Sequence, residues 1–318
     1  MKNKMEAYRQ ACRKAVDYQI NFQLPDGGYI WNEIGKDNYH KQAYSWQLQG
    51  HYAEAHKLLN WVKENTLQPD GQLKDYNGDV YKHIWMFLGA HRLGRLDISY
   101  PVMSYLKSCQ TPGGGFPHFT SHEVIRSMST SWLGVALLNF GDLAGAEKIA
   151  QLCISMMEQQ PREDRFYFQM TRYGKLVTEK EFPNAEFIDT SKTKQCYWEA
   201  GFIMLLMEKL HNVTGRQSYL DYASRLFEFL LSCSEDNFSY WGSGKGALAS
   251  ALHYAKTGDK RAKDAALRFC DFVLETQYPE GGFHYDDTPD ELLYYVDHAA
   301  CFSVWVMEII GILEGLDG

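Results

Sequence analysis

The sequence predicts an all-α fold, an (α/α)6 toroid of six helical hairpins, with a small β-hairpin inserted near 162–189. Three observations lead there. First, a phrase of Gln, a Pro-containing step, Gly-Gly and an aromatic recurs: Gln23-Leu24-Pro25-Asp26-Gly27-Gly28-Tyr29, Gln110-Thr111-Pro112-Gly113-Gly114-Gly115-Phe116 and Gln277-Tyr278-Pro279-Glu280-Gly281-Gly282-Phe283. Second, it recurs at near-fixed spacing. Counting the degenerate copies at Gln68-Pro69-Asp70-Gly71 and Gln160-Pro161, the steps are 45, 42 and 50 residues, and Cys233, before a turn that has lost Gln and Pro, lies 44 before Gln277. Repeats of this length are single supersecondary units that bury their apolar faces by stacking. Third, each repeat holds two helical patterns, one nearly apolar all round and one two-faced.

The elements follow in order. Two-faced outer helices are expected to begin near Lys4, Tyr52, Ser99, Leu143, Ser218 and Lys260. Apolar inner helices are expected near Tyr39, Val80, Val124, Thr193, Gly242 and Leu292. A second turn joins outer to preceding inner helix at Gly50, Gly94, Gly141, Gly215 and Gly258, and glycine just past a helix is the usual left-handed cap. An open superhelix of the same hairpins is the alternative; six repeats without polar end caps favour closure into one domain spanning 1–318.

One step is long. From Gln160 to Cys233 is 73 residues, so roughly 30 are inserted. Phe166–Met170 and Leu176–Thr178 flank Arg172-Tyr173-Gly174-Lys175, a pattern for a β-hairpin with a glycine turn. The segment 162–189 could lie over one rim of the ring as a lid, or serve as an oligomer contact.

Composition narrows the function classes. The chain has 318 residues, 45% of them hydrophobic and 14% aromatic, enough for a large core. A formal charge of −8 with no basic block argues against nucleic acid. No run approaches ~18 consecutive apolar residues, so no integral membrane segment is expected. The N-terminus lacks the apolar stretch of a signal peptide, and seven scattered cysteines read as reduced packing residues, so a cytoplasmic location is expected. With no Cys-x-x-Cys pair, neither a metal nor another cofactor is indicated.

The Gln-x-x-x-Gly-Gly-Phe turns, each leading into an inner helix that opens with Asp, Tyr or His, resemble the prenyltransferase and squalene-cyclase repeat. The openings Asp37-Asn38-Tyr39-His40 and Val296-Asp297-His298 carry the likeness, which covers nearly the whole chain. The resemblance implies an α-toroid of the terpenoid cyclase and protein prenyltransferase type. Two departures stand out. The Asp-x-Asp-Asp acid motif is absent, and the prenyltransferase zinc pattern of Asp then Cys two residues later is broken, because Ala299 follows Asp297 at that place.

In such a toroid every Gly-Gly turn opens on one rim, at helix N-termini suited to anionic or carbonyl groups. Candidate catalytic residues on that rim are Asp287, Asp297, His298 and His40. Candidate substrate-binding residues are Tyr39, His83, Trp132, Trp198, Tyr240 and Trp241, with Arg165, Arg172 and Lys175 of the insertion as an anion-binding cluster. Each has a plainer reading: the aromatics as core packing, the Asp286–Asp287 pair as a solvated loop, the insertion as an interface. The expected function is an enzyme that cyclises or isomerises an isoprenoid or polyene-like small molecule in an aromatic cavity, with a buried carboxylic acid as proton donor. The alternatives are a glycan-active enzyme, a lyase or glycoside hydrolase with paired carboxylates, and a non-catalytic binding toroid.

Overall fold

The computed structural model describes residues 2–29, 39–180, 182–285 and 290–317. Among them are six helix pairs in which a two-faced helix precedes a buried one: α1 (Lys2–Ile20) and α2 (Gln42–Leu48), α3 (Tyr52–Asn65) and α4 (Val80–Arg92), α5 (Leu96–Ser108) and α6 (Ser127–Phe140), α7 (Leu143–Glu158) and α8 (Trp198–Thr214), α9 (Gln217–Ser232) and α10 (Gly244–Thr257), α11 (Lys260–Thr276) and α12 (Leu292–Asp317). The helices begin within a few residues of their expected starts. The buried members carry unbroken apolar stretches, such as Ile84–Leu88 in α4 and Phe202–Met207 in α8.

The chain divides into two compact units. The first comprises Met1–Ser108 and Cys270–Ile310, the second Cys109–Phe269 and Gly311–Gly318. In the first, α2 packs against α3 and α4, and α4 against α5; in the second, α8 packs against α6, α7, α9 and α10.

The repeated phrase has a physical explanation in the first unit. Gly27 and Gly281 have φ of +96° and +111°, a region that side chains other than glycine avoid. A Cβ at Gly27 would also drive into the Lys57 carbonyl of α3, and one at Gly281 into the Lys14 carbonyl of α1. The second glycine of each pair lies under a ring: a Cβ on Gly28 would fall 2.7 Å from the Trp61 indole, one on Gly282 2.9 Å from the Tyr18 ring. The glutamine ties the same contact. Gln23 Nε2 donates to Gly27 O at 3.2 Å and Glu54 O at 3.0 Å; Gln277 Nε2 donates to Gly281 O at 3.2 Å and Ala11 O at 2.8 Å.

The inserted segment departs from a simple hairpin. The glycine turn is there, with the Gly174 amide donating to Thr171 O and a bridge between Met170 and Leu176. The strands, however, find other partners. Of the four short strands β1 (Val124–Arg126), β2 (Arg165–Tyr167), β3 (Gln169–Thr171) and β4 (Phe187–Asp189), β1 pairs antiparallel with β3 and β2 antiparallel with β4. Split between two sheets, Phe166–Met170 is buried on both faces, Tyr167 and Gln169 as well as Phe166, Phe168 and Met170.

Within α12, Leu292–Leu316 is long and apolar enough to cross a membrane by length and composition. As 61% of its most apolar window is buried inside the protein, α12 is a core helix of this fold.

Replacing Gly281 with Ala should destabilise the protein by about 2–4 kcal/mol, the sum of left-handed strain and the clash with α1. Gln277→Ala, which removes two hydrogen bonds and leaves the Ala11 carbonyl without this donor, should cost about 1–3 kcal/mol. Urea denaturation measures both.

Candidate functional site

In the first unit the rim residues converge on a buried ion pair. Lys41, just ahead of α2, places its ammonium 2.6 and 2.7 Å from the two carboxylate oxygens of Asp297 on the second turn of α12. Both side chains are under 10% exposed. A desolvated pair of this kind persists only with good geometry, which the bidentate contact supplies. It joins the turn carrying His40 to the turn carrying His298.

Around the pair lie groups whose ionisation is displaced. His40 is fully enclosed; burial, reinforced by the Lys41 and Lys82 ammoniums, holds its imidazole well below the usual value, so the ring is neutral. Its ring meets Tyr76 and Tyr81 edge-on at 6.4 and 6.2 Å. Burial pushes the Tyr81 phenol far up; the Lys41 ammonium opposes this and the Asp297 carboxylate adds to it. His298 is 5% exposed, stacks on Phe302 at 5.7 Å and meets Tyr285 at 5.3 Å. Below Tyr81, Trp85 and Trp305 meet at 5.2 Å, an apolar floor along α4 and α12. The Trp305 indole N–H donates to Cys301 Sγ at 3.0 Å.

Two other residues of this unit hold the fold together. The Tyr39 hydroxyl accepts the Tyr29 amide at 2.7 Å, and its ring stacks on Trp61 of α3 at 4.8 Å, so Tyr39 packs toward the two-faced helix. His83 accepts the Leu73 amide on Nε2 at 3.0 Å and donates from Nδ1 to Asp79 O at 2.6 Å. With both nitrogens spent on backbone, His83 pins the turn before α4 and has no hydrogen-bonding edge for substrate. Asp287 lies outside the described residues.

The second unit holds the remaining candidates. Trp132 is 2% exposed and packs 5.0 Å from Phe202, a core contact. Trp198, Tyr240 and Trp241 are half-buried and mutually in contact, Trp198–Trp241 at 5.1 Å and Tyr240–Trp241 at 5.4 Å. The basic residues of the insertion do not form one anion site. Arg165 pairs with Glu179 at 2.7 Å, lies over the Phe187 ring, and borders a groove of about 910 Å3 made with α7 and α9. Arg172 borders a different cavity of about 520 Å3, with Tyr173 and Phe182, and Lys175 lines neither. Arg126 instead joins α8 to the insertion, bonding Glu199 at 3.1 Å and Glu186 at 2.8 Å. Burial pushes the Glu199 carboxyl up, against the pull of Arg126, Ser127 and the Met128 amide.

Lys41 has no signal in the sequence, since a lysine beside a histidine reads as a solvated charge. Only its burial against Asp297 marks it.

No family model matches the chain, and neither does any curated protein sequence. Solved structures do. The α-1,6-mannanase GH76A of Salegentibacter sp. HEL1_6 matches with a TM-score of 0.65 at 14% identity, over 96% of this chain and 99% of that one. A D-mannose isomerase matches at 0.67 and 12% identity, over 93% and 96%. The unsaturated glucuronyl hydrolase of Bacillus sp. GL1 matches at 0.65 and 12% identity, over 96% and 97%. At such identities the likeness is one of fold, and the fold class is the (α/α)6 toroid.

These matches correct the expectation of a terpenoid cyclase. The resemblance carried by the Gly-Gly-Phe turns extends to the toroid and no further, because full-length likeness is to enzymes named for sugars and glycans. Of the two carboxylic acids expected for polyene cyclisation, Asp297 holds an ammonium with both oxygens, which makes it a poor proton donor.

Lys41→Met strips the paired ammonium from a buried carboxylate and should cost about 3–5 kcal/mol, while K41M/D297L should recover most of it; a double-mutant cycle in urea reads both. The His83 ring gives an acid limb. Burial depresses its value from 6.5 to about 4, so only the unfolded chain takes up that proton between those pH values. Its stabilisation is complete above pH 6.5 and lost as the pH falls toward 4, a swing of about 3 kcal/mol. His83→Gln should flatten that part of the stability–pH curve.

Proposed function

We propose that this chain is a glycan-active enzyme that cleaves a glycosidic bond, and that the Lys41–Asp297 pair with its neighbouring imidazoles is its acid–base centre. The observation that carries the reading is the bidentate buried ion pair at the opening of an inner helix. The ammonium favours the ionised carboxylate, ready to accept a proton or to stabilise positive charge developing at a sugar carbon. Such chemistry wants a second group to protonate the leaving oxygen. His298, one residue on, is the candidate within the described residues; Asp287 is the candidate carboxylate from the sequence. The similarity to a mannanase and a glucuronyl hydrolase supports this choice of bond.

The experiment is a panel of α-mannans, unsaturated glucuronyl oligosaccharides and free mannose, with products read by chromatography. A glycan in the panel should be shortened, and Asp297→Asn and His298→Gln should each lower kcat at least about 100-fold. Full turnover in both variants would sink the assignment. Interconversion of mannose and its ketose, without cleavage of any glycan, would replace hydrolysis with sugar isomerisation.

A further inference from the structure

The second unit carries a surface that the chemistry above does not use. Trp198 opens α8, while Tyr240 and Trp241 lie in the short turn leading into α10. These two helix starts are held close by paired glycines, since a Cβ on Gly201 would fall 2.7 Å from the Gly246 amide nitrogen. Gly242 adds to this. The Trp198 ring occupies the space where a Cβ on Gly242 would stand, so the indole lies directly on the backbone of the turn. The result is three half-buried aromatic rings, Trp241 between Trp198 and Tyr240, held by the absence of side chains at Gly201, Gly242 and Gly246.

Buried polar groups follow the rings directly in the chain. The Ser243 hydroxyl is buried at the N-cap of α10, makes no capping bond, and has no hydrogen-bond partner. Two residues on, Lys245 is 5% exposed, with its ammonium 5.7 Å from the centre of the Phe202 ring. An ammonium in so dry a place acts on a nearby anion with little screening. The start of α10 adds partial positive charge of its own. Within a few residues of the aromatic surface the chain thus carries a buried hydroxyl, a buried lysine and a helix start.

We propose that this aromatic shelf is a binding subsite for an acidic sugar, a pyranose ring bearing a carboxylate. The sugar's C–H face would lie on Trp198 and Trp241, Ser243 would bond a ring substituent, and Lys245 with the helix start would attract the carboxylate. The proposal rests on the glycan reading for its ligand class, but not on any residue of the ion-pair centre. It also moves the anion-recognising role from Arg165 and Arg172, which border separate cavities, to Lys245.

Calorimetric titration with trigalacturonate tests it, with α-1,6-mannotriose as the neutral probe. Wild-type protein should bind trigalacturonate at least about tenfold more tightly than mannotriose. Trp198→Ala and Trp241→Ala should each weaken trigalacturonate at least about tenfold, with circular dichroism and melting reporting that the fold is kept. Gly242→Ala, which displaces the Trp198 ring without removing it, should weaken the probe likewise. Lys245→Met should abolish the preference for the acidic probe while leaving the neutral one unchanged. Equal binding of the two probes by wild type, no binding of trigalacturonate, or unchanged affinity in the tryptophan variants would each overturn the proposal. Binding and turnover separate the two readings. A chain that binds trigalacturonate on the shelf but cleaves no glycan refutes the hydrolase alone. A chain that cleaves glycans but binds the probe equally in every variant refutes the shelf alone.

Discussion

A glutamine side chain that donates to two backbone carbonyls at once fixes the placement of the hairpin turns in the first unit. Gln23 and Gln277 each close their own turn and grip a carbonyl of another two-faced helix, α3 for one and α1 for the other. The glycines make the grip possible by letting backbone meet backbone where any side chain would intervene. A turn held this way fixes where the following buried helix begins. The residues proposed for chemistry in this unit cluster near those helix starts: His40 and Lys41 just ahead of α2, Tyr81 on the first turn of α4, and Asp297 and His298 on the second turn of α12. Small errors in the turn would be large errors at Asp297, because a buried ion pair tolerates little misalignment.

The same pair explains the character of its surroundings. Burial alone would favour neutral groups throughout, and His40 and Tyr81 do stay neutral. The close contact of Lys41 with both oxygens of Asp297 favours the charged form of each. The centre thus combines one fixed ionised carboxylate with imidazoles and a phenol in a dry aromatic setting. That suits reactions moving protons on and off oxygen, as in sugar chemistry, better than those needing a strong acid to protonate carbon.

The fold was legible in the sequence because its punctuation has steric causes. Gly27 and Gly281 answer to backbone conformation and close approach, so their spacing reports the repeat directly. Side-chain direction was not legible in this way. Tyr39 and His83 stand at the expected rim positions yet point into packing and backbone contacts, and nothing in their spacing distinguishes them from His40 or His298. Lys41 was invisible because its partner lies 256 residues away. The insertion misled for a related reason: the strand expected over Phe166–Met170 is split between β2 and β3, Leu176–Thr178 contributes only a bridge at Leu176, and β3 pairs with β1, a segment outside the insertion.

The first unit is assembled from two stretches far apart in the sequence, which gives its folding an order in time. Tyr8 bonds Asp271, Gln277 bonds Ala11, and Lys41 bonds Asp297, so α1 and α2 meet these partners only after residue 269 has been made. During synthesis the early helices must wait, with a lysine destined for the interior still in water. The intervening stretch that forms most of the second unit, by contrast, emerges with its helix partners close behind it. On the ribosome the later-numbered unit would thus become compact first, and the long closure between residues 41 and 297 would be the last large entropic step.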